Sequence, residues 1–90
     1  MDNRSVYTPV TPQAITMSAV SARSTAISSN QFRMASDVPF FFKLGDSSVV
    51  ATTSDNYSDG SLEYIARGVA THIAVILGSG SGTCYISELG

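Results

Sequence analysis

The run Val38-Pro39-Phe40-Phe41-Phe42-Lys43-Leu44-Gly45-Asp46 constrains this chain more than any other stretch. It gathers three of the four phenylalanines and stops at a Gly-Asp turn signal. A continuous apolar run of this length, bounded by turn residues, reads as a buried strand. Its alternation sets Phe40, Phe42 and Leu44 on one face and Phe41 with Lys43 on the other. The first face is the expected core. Phe41 is left either covered by an intermolecular contact or singly exposed, and interface centres favour aromatics.

The remaining apolar segments fit strands packed against this one. In residues 13–20, Ile15, Met17 and Ala19 alternate with Ala14, Thr16 and Ser18, predicting a first strand. Residues 21–28 continue with small side chains around Ile27. Ser29-Asn30 then turns the chain into residues 31–35, where Phe32 and Met34 flank an outward Arg33. Residues 47–53 are β-prone through Val49, Val50 and Thr52, and residues 54–61 form a polar turn region rich in Asp, Asn and Gly. Leu62, Tyr64 and Ala66 alternate with Glu63 and Ile65. A short helix over residues 61–71 is the alternative there, although Gly60 and Gly68 bracket it closely and so short a helix is marginal.

Ile73, Val75 and Leu77 share one face of a strand over residues 72–77, and Tyr85 opposes Cys84 and Ile86 in residues 83–89. The Gly-Ser tract at residues 78–82 predicts a hairpin between these last two strands. Seven or eight short antiparallel strands with frequent turns define an all-β fold, either a small β-sandwich or a jelly roll. Pro9 and Pro12 in a Thr-rich context predict an extended N-terminal arm over residues 1–12, followed by one β-domain over residues 13–90.

Size and charge narrow the function classes. A 90-residue chain buries roughly 60–65 % of its unfolded surface, so a lone monomer is modestly stabilised and oligomerisation or docking on a larger body is expected. The formal charge is -2, and Arg4, Arg23, Arg33, Lys43 and Arg67 are scattered singly, which disfavours direct nucleic-acid binding. Charged residues make up 13 %, against about a quarter in ordinary soluble domains, a bias that suits a surface covered by neighbours. The start of the chain lacks an apolar secretory core and the apolar runs are shorter than a membrane span, so secretion and membrane insertion are disfavoured. With one cysteine, Cys84, no intrachain disulfide forms, and a reducing cytosol suits the chain.

Catalytic signals are sparse. His72 is the single histidine, and pairing it with Ser58 or Cys84 as a nucleophile has no supporting pattern. Cys84 sits in an apolar alternation as a core filler. The stretch Asp55-Asn56-Tyr57-Ser58-Asp59-Gly60-Ser61-Leu62-Glu63 resembles a calcium loop only superficially, because Tyr57 and Ala66 occupy the third and twelfth positions where ligands are required, leaving an ordinary polar turn as the reading and a nonstandard cation site as the alternative. The Gly-Ser tract lacks the lysine and following helix of a phosphate loop. No enzyme activity, cofactor or metal is expected.

The order of Phe42-Lys43-Leu44-Gly45-Asp46, Ala51-Thr52-Thr53, Gly60-Ser61-Leu62-Glu63-Tyr64, Ala70-Thr71-His72-Ile73-Ala74-Val75-Ile76 and the closing Gly82 to Leu89 segment resembles a group of small virion proteins of tailed bacteriophages. One departure is Gly68, without the proline expected in the turn before His72. The resemblance, over residues 13–89, implies a cement or decoration protein on the capsid surface, made in the bacterial host cytoplasm. It further implies a major capsid protein as partner and a homo-oligomeric dimer or trimer. Candidate contact residues are Val6, Tyr7, Pro9, Val10 and Pro12 in the arm, Phe41 on its strand, and Asp55, Tyr57 and Asp59 in the polar loop. The alternatives are a tail or head-tail adaptor component, and a carbohydrate- or receptor-binding module using exposed Tyr57, Tyr64 or Tyr85.

Overall fold

The computed structural model describes residues 12–89. Eight strands follow in order: β1 (Gln13–Met17), β2 (Ala22–Arg23), β3 (Gln31–Ser36), β4 (Phe40–Gly45), β5 (Asn56–Ser58), β6 (Glu63–Ala66), β7 (His72–Ile76) and β8 (Gly82–Leu89). They form two four-stranded antiparallel sheets, β1-β8-β3-β6 and β2-β7-β4-β5. The ladders β1 with β8, β2 with β7, β3 with β6 and β4 with β5 nest inside one another, as in a long hairpin whose two arms pass together from one sheet to the other. The β3–β8 and β4–β7 ladders then join the nested pairs within each sheet.

The apolar alternation explains where the core sits. Ile15, Met17, Phe32, Met34, Cys84 and Ile86 from one sheet, with Phe40, Phe42, Ile73 and Val75 from the other, form a single buried cluster with Ile27 and Leu77. Leu44 and Ile65 pack partly buried against it. Phe40 and Phe42 touch as tilted rings 6.0 Å apart. The faces expected for β1, β3, β4, β7 and β8 are therefore the ones buried.

Several expected elements differ. The first strand stops at Met17 rather than Val20, because the chain must cross between sheets: Ser18 carbonyl accepts the Leu77 N–H at 2.8 Å and Val20 is 73 % exposed. Residues 47–53 form a loop instead of a strand, although Val49 and Ala51 are buried by alternation. Conversely, the polar region 54–61 contains the short strand β5, and the helix alternative for 61–71 gives way to β6, paired to β3 from Gln31↔Ala66 to Met34↔Glu63. Residues 1–11 of the expected arm lie outside the described residues; Pro12 is exposed and belongs to no strand.

The largest correction concerns the last two strands, which do not form a hairpin. β7 pairs with β2 and β4, whereas β8 pairs with β1 and β3 in the other sheet. Each strand puts its apolar face into the shared cluster from its own sheet, so the glycine-rich loop bridges the sheets instead of reversing within one. The Thr83 N–H bonding to Asp37 Oδ1 at 3.0 Å ties the far side of that bridge to the β3–β4 turn.

At the opposite end Arg67 holds two loops together. Its guanidinium donates to the carbonyls of Ser29 (2.7 Å), Ala70 (2.7 Å) and Ser28 (3.4 Å). Glu88 meets the same 28–29 turn from β8, accepting the Ser29 N–H at 2.9 Å and the Ser28 N–H at 3.0 Å. These bonds, foremost that from the Ser29 backbone, hold the Glu88 carboxyl below the ordinary carboxylate range. The basic and acidic side chains thus satisfy backbone groups of one turn from opposite sides.

Candidate interaction surface

β4 turns Phe40 and Phe42 inward, so Phe41 and Lys43 face away from the shared core. Register places Ile76 of β7 on one side of Phe41 and Tyr57 of β5 on the other. The Phe41 and Tyr57 rings meet edge to face, with centroids 5.5 Å apart and planes at 62°. Ile76, Phe41 and Tyr57 therefore form an apolar row across three strands on the outer face of this sheet. Phe41 is half-buried by its neighbours, and Tyr57 is 61 % exposed.

The loop at residues 46–55 extends this row. Val49 and Ala51 bury themselves against Ala74, with Ile76 packed beside them, so the outer face of β7 is covered at Ala74 and half-covered at Ile76. Arg23 donates to the Val49 carbonyl at 3.2 Å, and the Ala51 N–H bonds to Ser21 Oγ at 2.9 Å, pinning the loop to the neighbourhood of β2. Gly45 is required by this approach: a Cβ there would lie 2.7 Å from Val49 Cγ2. The loop closes on carboxylates at both ends. Asp46 Oδ1 accepts the Ser48 N–H and Oγ–H at 2.9 and 2.8 Å, and the Ser48 backbone bond foremost lowers its pKa. Asp55 Oδ2 accepts the Thr52 N–H at 2.7 Å.

Among the residues expected at a contact, Phe41 and Tyr57 are brought together and Asp55 and Asp59 flank β5 on either side. The two aspartates have local work: Asp55 binds Thr52, and Asp59 Oδ1 accepts the Ser61 N–H at 2.9 Å, a bond that lowers its pKa. Pro12 immediately precedes β1, which belongs to the other sheet, and is not on this face. Val6, Tyr7, Pro9 and Val10 lie outside the described residues. Ile76 and the exposed Val50 were not among the expected contact residues. The signal for Ile76 was its place opposite Phe41, which no single-strand periodicity reveals.

Tyr57, Tyr64 and Tyr85 do not line one groove. Tyr64 and Tyr85 face outward from the β1-β8-β3-β6 sheet, opposite Arg33 and Ala35 respectively, and Tyr57 belongs to the other sheet. His72 and Ser58 are also kept apart, because they pair with Gly45 and Phe40 at opposite ends of β4, a separation of roughly 17 Å along a strand. The His72 Nδ1 atom instead meets Thr71 Oγ1 at 2.8 Å. Cys84 is fully buried, and burial pushes its thiol up to about 12. Among the described residues no group of three or more His, Cys, Asp or Glu side chains is placed to hold a metal ion.

No protein-family model, curated protein or solved structure matches this chain.

Proposed function

We propose that this chain is a noncatalytic structural protein of a tailed-phage particle, binding the major capsid protein as a cement or decoration protein through the Ile76–Phe41–Tyr57 face. The observation that carries the reading is that row: three apolar side chains in register on the outer side of a sheet whose inner side already fills the core. An aromatic pair edge to face on a rigid sheet supplies contact area at low entropic cost, as interface centres require. The flanking polar loop is held by its own hydrogen bonds and presents a fixed rim.

The strand order supports a finer reading of the fold. Nested pairs that keep β1 with β8, β2 with β7, β3 with β6 and β4 with β5 are those of an eight-stranded jelly roll, an architecture used by viral capsid and lectin domains. A fold of this kind offers sheet faces and end loops for contacts repeated by symmetry. Fold alone does not set function, so the contact row is the part to test.

The test compares binding of the wild-type chain and the Phe41→Ala/Tyr57→Ala variant to capsids purified from particles that lack it. The reading predicts that the variant loses at least about tenfold in affinity and retains its circular dichroism spectrum. Equal binding by both chains would remove this face as the contact surface.

A further inference from the structure

The two sheets expose four strand edges, and three of them carry features that discourage pairing with another chain. β2 spans 2 residues and β5 spans 3, too short to template a strand. β6 points the half-buried carboxylate of Glu63 inward, where Oε2 accepts the Ser58 Oγ–H at 3.1 Å. An inward charge on an edge strand is one of the known guards against edge pairing.

Among the described residues β1 has neither the short length nor the inward charge of the other edges, and Pro12 lies just before the strand and not in it. The strand is 5 residues long, and each residue from Gln13 to Met17 has a single partner on β8, so no bulge twists the edge away. No charged residue occurs between Arg4 and Arg23. Its outward side chains, Ala14 and Thr16, are small and exposed, and its inward ones, Ile15 and Met17, belong to the core. The Gln13 side chain is already engaged, its Oε1 accepting the Thr25 N–H at 2.9 Å. Among the described residues no strand pairs with its second edge.

We infer that the free edge of β1 pairs antiparallel with β1 of a second copy of this chain. A two-fold axis through Ile15 sets Ile15 opposite Ile15, Ala14 opposite Thr16 and Gln13 opposite Met17. This pairing places no charge opposite a like charge, joins β-branched side chains at the axis and continues the apolar inner face across the junction. The result is a continuous eight-stranded sheet, within the size that twisted open sheets reach. Pro12, which has no N–H to donate, limits the ladder at the start of the strand. A second copy fits better than an arbitrary peptide because the edge is self-complementary and carries only apolar and small polar side chains. This inference concerns self-association and is independent of capsid binding.

Sedimentation velocity on the full chain from about 1 µM to about 1 mM tests it. The wild type is expected to dimerise with rising concentration. Ala14→Lys/Thr16→Lys sets lysine opposite lysine twice in the dimer and is expected to weaken it by at least about tenfold. Ala14→Lys/Thr16→Glu sets opposite charges across the same junction and is expected to restore it. A monomer at every concentration, a double-lysine variant that dimerises like the wild type, or a charge-paired variant that stays monomeric each overturns the inference. Amide hydrogen exchange of the unmodified chain gives a reading that needs no variant: protection at residues 13–17 rises with concentration if the edges pair, and concentration-independent protection overturns the inference.

Discussion

Replacing Phe40 and Phe41 separately by alanine separates two neighbours that hydrophobicity cannot distinguish. Phe40 is fully buried in the shared cluster and touches Phe42. Truncating such a ring costs about 3–5 kcal/mol through lost transfer energy and the cavity left behind. Phe41 is half-buried on the outer face, where its loss removes part of the transfer term and the edge-to-face contact with Tyr57. That amounts to about 1–2 kcal/mol. The gap of roughly 2 kcal/mol corresponds to about 8–16 °C in the unfolding midpoint of a domain this size. Urea and thermal unfolding of the two variants at one concentration measure it, with the urea slope serving as the check on two-state behaviour. Equal losses, or a larger loss for Phe41→Ala, would refute the assignment of inner and outer faces on β4.

Three further outcomes follow from other parts of the structure. Gly60 has a φ of 95° and sits so that an added Cβ would lie 3.0 Å from the Ser36 and Val38 carbonyl oxygens, whereas Gly68 has a φ of 64° with open space around it. Gly60→Ala is therefore expected to cost about 1–3 kcal/mol and Gly68→Ala about 1 kcal/mol, read from urea midpoints. Because the folded-state pKa of Glu88 is depressed, its hydrogen bonds contribute stability above the ordinary carboxylate pKa and lose that contribution as pH falls through the folded value. Glu88→Gln should lower the urea midpoint at neutral pH and flatten its fall in acid; an unchanged acid limb contradicts the assigned role. The Cys84 thiol, buried with a pKa of about 12, should resist a thiol reagent in the native state and react at the rate of unfolding; fast labelling without denaturant would contradict its burial.

Much of the core was legible because strand alternation has a period of two. Ile15 and Met17, Phe32 and Met34, Phe40 and Phe42, and Cys84 and Ile86 each read as inward pairs, and each is buried. β-propensity misled at residues 47–53, where Val49, Val50 and Thr52 suggested a strand. Val49 and Ala51 alternate into burial, yet they do so by lying over Ala74 on the outer side of β7, with no ladder of their own. Burial pattern reports which side chains leave water and does not report which backbone pairs with which.

Pairing was the less legible layer for the same reason. The Gly-Ser tract leading into β8 has the chemistry of a hairpin loop, but the segment at residues 77–81 also suffices to bridge two sheets. What decides is global: β7 finds β2 and β4, and β8 finds β1 and β3. The candidate surface shares this dependence. Phe41 stood out within its own strand, and Tyr57 was a candidate through its loop, but their contact and the addition of Ile76 exist only through cross-strand register.

Electron cryomicroscopy of the intact particle tests the central proposal most directly. Binding through the Ile76–Phe41–Tyr57 face predicts density for this domain at joints between major capsid subunits, with that face turned toward the capsid. Density confined to the tail, or a capsid-bound domain with the row turned to solvent, would contradict it.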